Sequence, residues 1–323
     1  MRMLVTGGAG FIGSNIVYEL LDREHEVVVL DNMSSGYECN LPRNGRLRLI
    51  RGDIRDTKTV SRAMEGVEAV FHLAASVGNK RSIDNALQDA EINVLGTLNV
   101  LEAARAGGVR KVVASSSAGI FGQLRRLPIR EDHPAEPDSP YGASKLCAEK
   151  QCLVYSKLYG MEVVCLRYFN VYGPNQRMDP YGNVIPIFAY AMLRGEPLTI
   201  FGDGEQTRDF IHVRDVVQAN VKALLARGVS GAFNVGSGTC ITINGLVELL
   251  RRAGRLDATV RYGDPRPGDV RDSIADIAAA RGAFGFNPEV ALPEGLRNYL
   301  EWAAGEARGG VWQRLSCSAA KAC

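Results

Sequence analysis

The chain of 323 residues carries almost no net charge, +2 with histidine neutral. That excludes a strong electrostatic pull toward nucleic acid or an acidic membrane surface. No apolar run is long enough to span a bilayer, so no membrane partner is expected. No secretory leader precedes the apolar run that opens at Met3, which makes the cytoplasm the expected compartment. The seven cysteines, at 39, 147, 152, 165, 240, 317 and 323, are odd in number and include no Cys-x-x-Cys. Such a set argues against a disulfide framework and against structural zinc, and for free thiols. The four histidines, at 25, 72, 133 and 212, lack ligand spacing, so no metal site is expected. Internal repeats and low-complexity tracts are missing as well. What remains is a globular composition, 46% hydrophobic and 23% charged, long enough for one large or two ordinary domains.

The most informative residues come first. An apolar run, Met3–Thr6, leads into glycines at Gly7, Gly10 and Gly13 and then a helical pattern. Gly7 permits a tight turn, Gly10 lets the backbone approach a diphosphate, and Gly13 lets the helix pack on the sheet. Free amides and the positive helix end then hold the diphosphate. A second apolar run, His25–Leu30, ends in Asp31. A carboxylate there accepts hydrogen bonds from a ribose diol and repels a 2′-phosphate, which favours NAD over NADP.

Strands are predicted at 3–6, 26–30, 46–51, 69–74, 111–115 and 162–167, with helices at 12–21, 57–64, 86–106 and 141–158 between them. Apolar strands alternating with amphipathic helices give an α/β fold with a doubly wound parallel sheet. After Tyr172 the pattern turns irregular, with helices expected at 184–193, 243–253 and 296–303. The segments Phe210–Arg227 and Ala232–Val235 read as later additions to the large sheet. The expected division is 1–172 plus 210–236 for the dinucleotide half and 173–209 plus 237–308 for a smaller mixed α/β half. Residues 309–323 are expected to form a flexible tail.

A second motif, Tyr141-Gly-Ala-Ser-Lys145, puts a phenol and an ammonium on one helix face, one turn apart. The lysine charge stabilises the phenolate, whose free pKa is about 10, and so readies Tyr141 for proton exchange with a hydroxyl. Upstream, Ser115-Ser116-Ser117-Ala118-Gly119 ends a predicted strand. Ligands of open α/β sheets bind beyond such strand ends, and a serine there bridges the phenol and a substrate hydroxyl.

Glycine loop, strand-end serines and the Tyr/Lys pair occur in one order that resembles the extended short-chain dehydrogenase/reductase family. The likeness is to its NAD-dependent sugar-nucleotide epimerase/dehydratase group, nearest the UDP-hexose and UDP-hexuronate 4-epimerases. The motifs that carry it are TGGAGFIGSN (6–15), GDIRD (52–56), HLAA (72–75), ASSSAGIFG (114–122), PYGASK (140–145), RYFNVYGP (167–174), FGDGEQTRDFIHV (201–213) and PRPGD (265–269). The resemblance implies a Rossmann sheet and catalysis by Ser117, Tyr141 and Lys145. It implies that Asp53 and Ile54 flank adenine, that Ala74 lines the dinucleotide groove and that Tyr168 sits near the nicotinamide. Phe11, Ile12, Asn32, Leu73, Ala75, Asn93 and Ser115 join the cofactor side. On the substrate side it implies Arg81, Ala118 and Gly119, Asn170 at the diphosphate or sugar, Asn183 and Val184 at the uridine, and Arg208 and Arg266 gripping the diphosphate. It further suggests a homodimer packed through 86–106 and 141–158.

Within that group, dehydratases carry an Asp-Glu pair where this chain has Ala118-Gly119, and decarboxylases carry a Glu at the second of these positions. The extra acid/base is missing, so reversible oxidation of one hydroxyl, and hence epimerisation at carbon four, is the expected chemistry. Ser273 stands at a pocket-gating position and is small enough to admit an N-acetyl group. Arg177 stands where uronate-specific relatives carry an arginine, and a bidentate contact there selects a carboxylate. The expectation leans to UDP-glucuronate, with UDP-N-acetylglucosamine or UDP-glucose as the alternative. A different nucleotide-sugar oxidoreductase, or a non-catalytic NAD-binding sensor, completes the set of readings.

Overall fold

The computed structural model describes residues 1–178, 182–265 and 270–308. Arg266 and the tail 309–323 lie outside them. The first half runs β1 (Arg2–Thr6), α1 (Phe11–Asp22), β2 (Glu26–Asp31), β3 (Leu47–Arg51), α2 (Thr57–Ala63), β4 (Ala69–His72), α3 (Asn79–Asp84), α4 (Ala86–Ala90), α5 (Thr97–Ala106) and β5 (Lys111–Ser117). It continues with α6 (Pro140–Tyr159), β6 (Glu162–Tyr168) and β7 (Asn170–Tyr172). The second half comprises α7 (Val184–Leu193), β8 (Leu198–Phe201), β9 (Thr207–Arg208), β10 (Phe210–His212), α8 (Val213–Leu225), β11 (Gly231–Val235), β12 (Ile241–Thr242), α9 (Ile243–Gly254), β13 (Val260–Gly263), α10 (Ala278–Phe284) and α11 (Leu292–Arg308).

Seven parallel strands form one sheet in the order β11-β6-β5-β4-β1-β2-β3. Side chains alternate across it because successive Cβ atoms point to opposite faces. Met3, Val5, Val27, Val29, Phe71 and Val113 pack beneath α1 and α8, whereas Leu4, Val28, Leu30, Val70, Val112 and Val163 pack beneath α2 and α5. Burial on both faces is why these strands read as continuous apolar runs. A third core, Tyr172, Ile185, Phe188, Leu198, Leu246, Leu250, Leu296 and Tyr299 among its members, gathers α7, β8, α9 and α11 beside the sheet.

Three expectations are corrected by this arrangement. The predicted helix 86–106 is not regular, since residues Glu91–Gly96 form a π-helical turn between α4 and α5. There Gly96 lies so close to Ile54 that a Cβ on it would fall 2.5 Å from the Ile54 Cδ1. Phe210–His212 does not join the large sheet; it pairs in parallel with β7, and only α8 and β11 return to the sheet. Finally, Ala275, Ile277, Ala280, Phe284 and Phe286 fill the core under the large sheet, although the sequence pattern groups 237–308 with the smaller half.

Candidate active site

The turn after β1 is built around Gly7, whose φ of +67° is in the left-handed region that favours glycine. A Cβ on Gly13 would fall 2.2 Å from the Gly7 carbonyl oxygen, so no other residue fits that contact. Gly10 caps α1 without a side-chain acceptor, which leaves the opening amides of the helix, those of Phe11 and Ile12, for an anion. This cradle fits a dinucleotide diphosphate. Asp31, 6% exposed, accepts the Ala9 amide on Oδ2 (2.9 Å) and the Met33 amide on Oδ1 (2.8 Å). Burial pushes its carboxyl up, against those two amide bonds. It therefore shapes the glycine loop, with lone pairs left for a diol.

Beyond it, the Asn32 amide donates to Asp53 (2.8 Å), and the Arg55 fork beside Asp53 holds that carboxyl down at about 2. Ile54 is buried next to them. The Leu73 and Ala74 amides both donate to Thr6 Oγ1 at 3.2 Å, which bends the chain after β4 over the Gly7 turn, with Ala75 following half-buried. Thr6 pairs with His72, and His72 with Thr97. Desolvation, helped by the Lys145 charge, drives the His72 imidazole to about 3, so it is a neutral spacer.

The reactive set stands at the carboxyl end of β5. Ser117 Oγ, which accepts the Gly119 amide at 3.1 Å, neighbours the Tyr141 phenol. Lys145 donates to the Ser115 carbonyl (2.5 Å) and faces Ser115 Oγ at 3.3 Å. α6 begins close to this turn because residue 142 is glycine; a Cβ there would fall 2.4 Å from the Gly119 carbonyl oxygen. Ala118 and Gly119 open the next turn and present no acid. Burial pushes the Tyr141 phenol up, opposed by the Ser117 hydroxyl beside it, and pushes the Lys145 ammonium down to about 8. The expected influences on the phenol are the Lys145 charge together with a cationic nicotinamide ring; in the folded chain burial is the largest influence on Tyr141 and acts against ionisation.

Asn93, expected on the cofactor side, lies on the π-helical turn, donates to the Ser76 carbonyl and to Ser144 Oγ at 3.0 Å each, and accepts the Ser76 amide at 2.8 Å. Two supporting residues, Asp89 and Glu149, were not foreseen. Buried Asp89 accepts Ser144 and Asn93 from behind. Glu149, one turn beyond Lys145, takes the Arg167 fork at 2.8 and 2.9 Å and the Ser116 hydroxyl at 2.7 Å. Spacing along α6 puts Glu149 on the Lys145 face, but nothing in the local sequence shows that Arg167 is its partner.

The remaining candidates are Tyr168, expected near the nicotinamide, and those of the substrate side. Tyr168 lies opposite Ser117 across the β5–β6 pair and turns its hydroxyl to Asn220 (3.0 Å). Asn170 donates its main-chain and side-chain N–H groups to the Asp209 carbonyl. Asn183 caps α7, which Val184 opens, and its amide donates to the Val171 carbonyl at 3.3 Å. Arg81 lies on α3 against the Val77 carbonyl. Arg208, on β9, donates to the Thr207 carbonyl at 2.8 Å. Ser273 is half-buried between Asp272, which accepts the Thr207 hydroxyl (2.8 Å), and Ala275, whose amide donates to Asp209 (3.0 Å). Asp209 also accepts the Ser237 amide and hydroxyl and the Gly238 amide, so one buried carboxylate ties β9 to the Ser273 segment.

Arg177 departs from expectation. Its Nε and Nη2 bind Glu306 on α11 (2.9 and 2.6 Å), and its Nη1 donates to Asn40 (2.6 Å). The guanidinium also lies over the rings of Tyr37 and Trp302. With its side chain 10% exposed and its fork committed, it is not placed to select a substrate carboxylate.

Comparison with known proteins identifies the family. Residues 3–236 match the model of the NAD dependent epimerase/dehydratase family. The UDP-glucose 4-epimerase of Mycolicibacterium smegmatis is 41% identical over 309 residues, covering 94% of this chain and 98% of that protein. The structure of Thermotoga maritima UDP-glucose 4-epimerase with UDP-glucose superposes with a TM-score of 0.91 at 39% identity, over 95% of this chain and 100% of that one. Thermus thermophilus UDP-glucose 4-epimerase in complex with NAD gives 0.87 at 40% identity, over 94% and 99%. The chain belongs to the NAD-dependent epimerase/dehydratase family, its cofactor is NAD, and it is an epimerase.

Proposed function

We propose that the protein is a UDP-sugar 4-epimerase acting on a neutral UDP-hexose, UDP-glucose foremost. The observation that carries this reading is the Ser117–Tyr141–Lys145 set at the end of β5, beside a turn, Ala118-Gly119, that holds no second acid or base. Such a set moves one proton and cannot expel water or carbon dioxide. Tyr141, through Ser117, takes the proton of the carbon-four hydroxyl and later returns it. Lys145, held on Ser115, supplies positive charge to the phenol. NAD, held at the Gly7–Gly13 turn, would supply the acceptor and donor for the carbon-four hydride. Arg208, and Arg266 with it, hold the diphosphate while the sugar turns.

Arg177 was the group that favoured a uronate, and its commitment to Glu306 and Asn40 removes that support. Small, half-buried Ser273 supports UDP-N-acetylglucosamine as a second substrate. The test is NMR of the purified protein with UDP-glucose, UDP-N-acetylglucosamine and UDP-glucuronate. Inversion at carbon four of UDP-glucose is expected; faster turnover of UDP-glucuronate, or no turnover of any, overturns the reading.

A homodimer through α4–α6 is part of the proposal. Leu87 (82% exposed), Leu158 (67%), Leu95 and Val154 are large apolar side chains open to solvent on those elements. The cytoplasm, where Cys39, Cys147, Cys152, Cys165 and Cys240 stay reduced, is the proposed compartment.

A further inference from the structure

We propose that Arg177 is a positioning residue through which the outer half of the molecule holds the glycine-rich loop in its NAD-retaining shape, acting through Asn40 on Ala9. The inference rests on the NAD-binding reading of that loop, not on which sugar is turned over.

Arg177 lies in the stretch that leaves β7 for α7, and its two strongest partners are 129 and 137 residues away in sequence. Glu306 takes two of its nitrogens, so the guanidinium plane is anchored on α11. The third nitrogen donates to Asn40 Oδ1 at 2.6 Å. Asn40, 3% exposed, in turn donates from Nδ2 to the Ala9 carbonyl at 2.8 Å. That same carbonyl accepts the Tyr37 amide at 3.0 Å, and the Ala9 amide donates to Asp31 at 2.9 Å. Both sides of the Ala9 peptide, between Gly8 and Gly10, are thus set by groups that Arg177 and Asp31 steady. Tyr37 and Trp302 close on the guanidinium, with centroids 4.7 and 5.7 Å from its central carbon.

The same stretch also lies on the first turns of α1. The Asn15 amide donates to the Pro174 carbonyl, and the Asn175 amide to Ser14 Oγ, each at 3.0 Å. Residues 174–177 therefore strap both the loop and the helix start that together form the anion cradle. A planar fork reaching Glu306 and Asn40 at once while stacking on two rings is a task for arginine, not for lysine.

The test is NAD retention by the holoenzyme, read as NAD released on extensive dialysis and as the dissociation constant from titration of the stripped protein. Arg177→Ala is expected to raise that constant about tenfold, a usual size for coupling between sites. Arg177→Lys should not restore it. Asn40→Ala should act alike, and the double variant should be no worse than either single one, because both break one relay. Glu306→Gln, which keeps a hydrogen-bonding side chain, gives a milder change if Arg177→Ala folds poorly. Retention equal to the parent in Arg177→Ala, or additive losses in the double variant, overturns the relay. So does a defect confined to the KM for the sugar nucleotide, which would put Arg177 on the substrate. If the parent turns over no UDP-sugar, the epimerase reading fails while the retention data still judge the relay.

Discussion

Lys145 pays for its place: an ammonium at the end of β5 is desolvated, and its pKa falls to about 8 from the 10.5 it has in the unfolded chain. Between those values the unfolded chain binds more protons, so this group's penalty is full below about pH 8 and fades as pH rises toward 10.5. Lys145→Met is therefore expected to gain stability relative to the parent at pH 7, by a margin that shrinks at pH 10, while turnover collapses; melting curves at the two pH values check the sign. Tyr141→Phe should lower kcat by about 10²–10⁴-fold with NAD still bound, since only the proton acceptor is lost. Loss of cofactor in that variant would give the hydroxyl a structural task instead. These two residues were legible in sequence because one helical turn fixes their relation, whatever the rest of the chain does. Arg177 was misread for the opposite reason. Its partners, Asn40 and Glu306, are brought to it only by the tertiary fold, and a fork that fits a substrate carboxylate fits Glu306 equally well.

Helix α6, which carries Tyr141 and Lys145, is pinned to the sheet by the Glu149–Arg167 pair, whose side chains are 0% and 7% exposed. Removing one partner leaves the other charge buried alone, so Glu149→Ala should cost about 3–5 kcal/mol, measured by urea unfolding. A cost near that of a surface change would mean that Arg167 finds water. Elements defined by local pattern were read well: α1, α6, α7 and α9 fall within about two residues of their expected bounds. The π-helical turn at Glu91–Gly96 escaped detection, because its apolar spacing is that of an ordinary helix. Only the contact of Gly96 with Ile54 and the reach of Asn93 to Ser76 and Ser144 show why the turn widens there. Short pairings such as β9–β12 and β7–β10, two and three residues long, carry too little pattern to be read in advance.

The apolar side chains left open on α4 and α6 and on the π-helical turn bear on the assembled protein. Leu87→Glu combined with Leu158→Glu is expected to shift the mass in light scattering from two chains to one, with the sheet core intact by circular dichroism. A parent that is already a monomer would remove the dimer proposal. At this scale the sequence showed the doubly wound sheet but not where α10 belongs. Ala280 and Phe284 satisfy a helical pattern equally against either core, and only the chain path puts them under the large sheet. That path has one narrow joint: β7 and β10 run side by side for three residues, and Asn170 clasps the Asp209 carbonyl twice where the excursion 173–209 leaves and returns. An excursion strung from so short a hem can be recut by insertion, deletion or exchange of loops while the Ser117–Tyr141–Lys145 cluster at the end of β5 stays as it was. On the proposed reading, in which that excursion meets the sugar nucleotide, descendants of this scaffold can change the sugar they accept without relearning how to oxidise it.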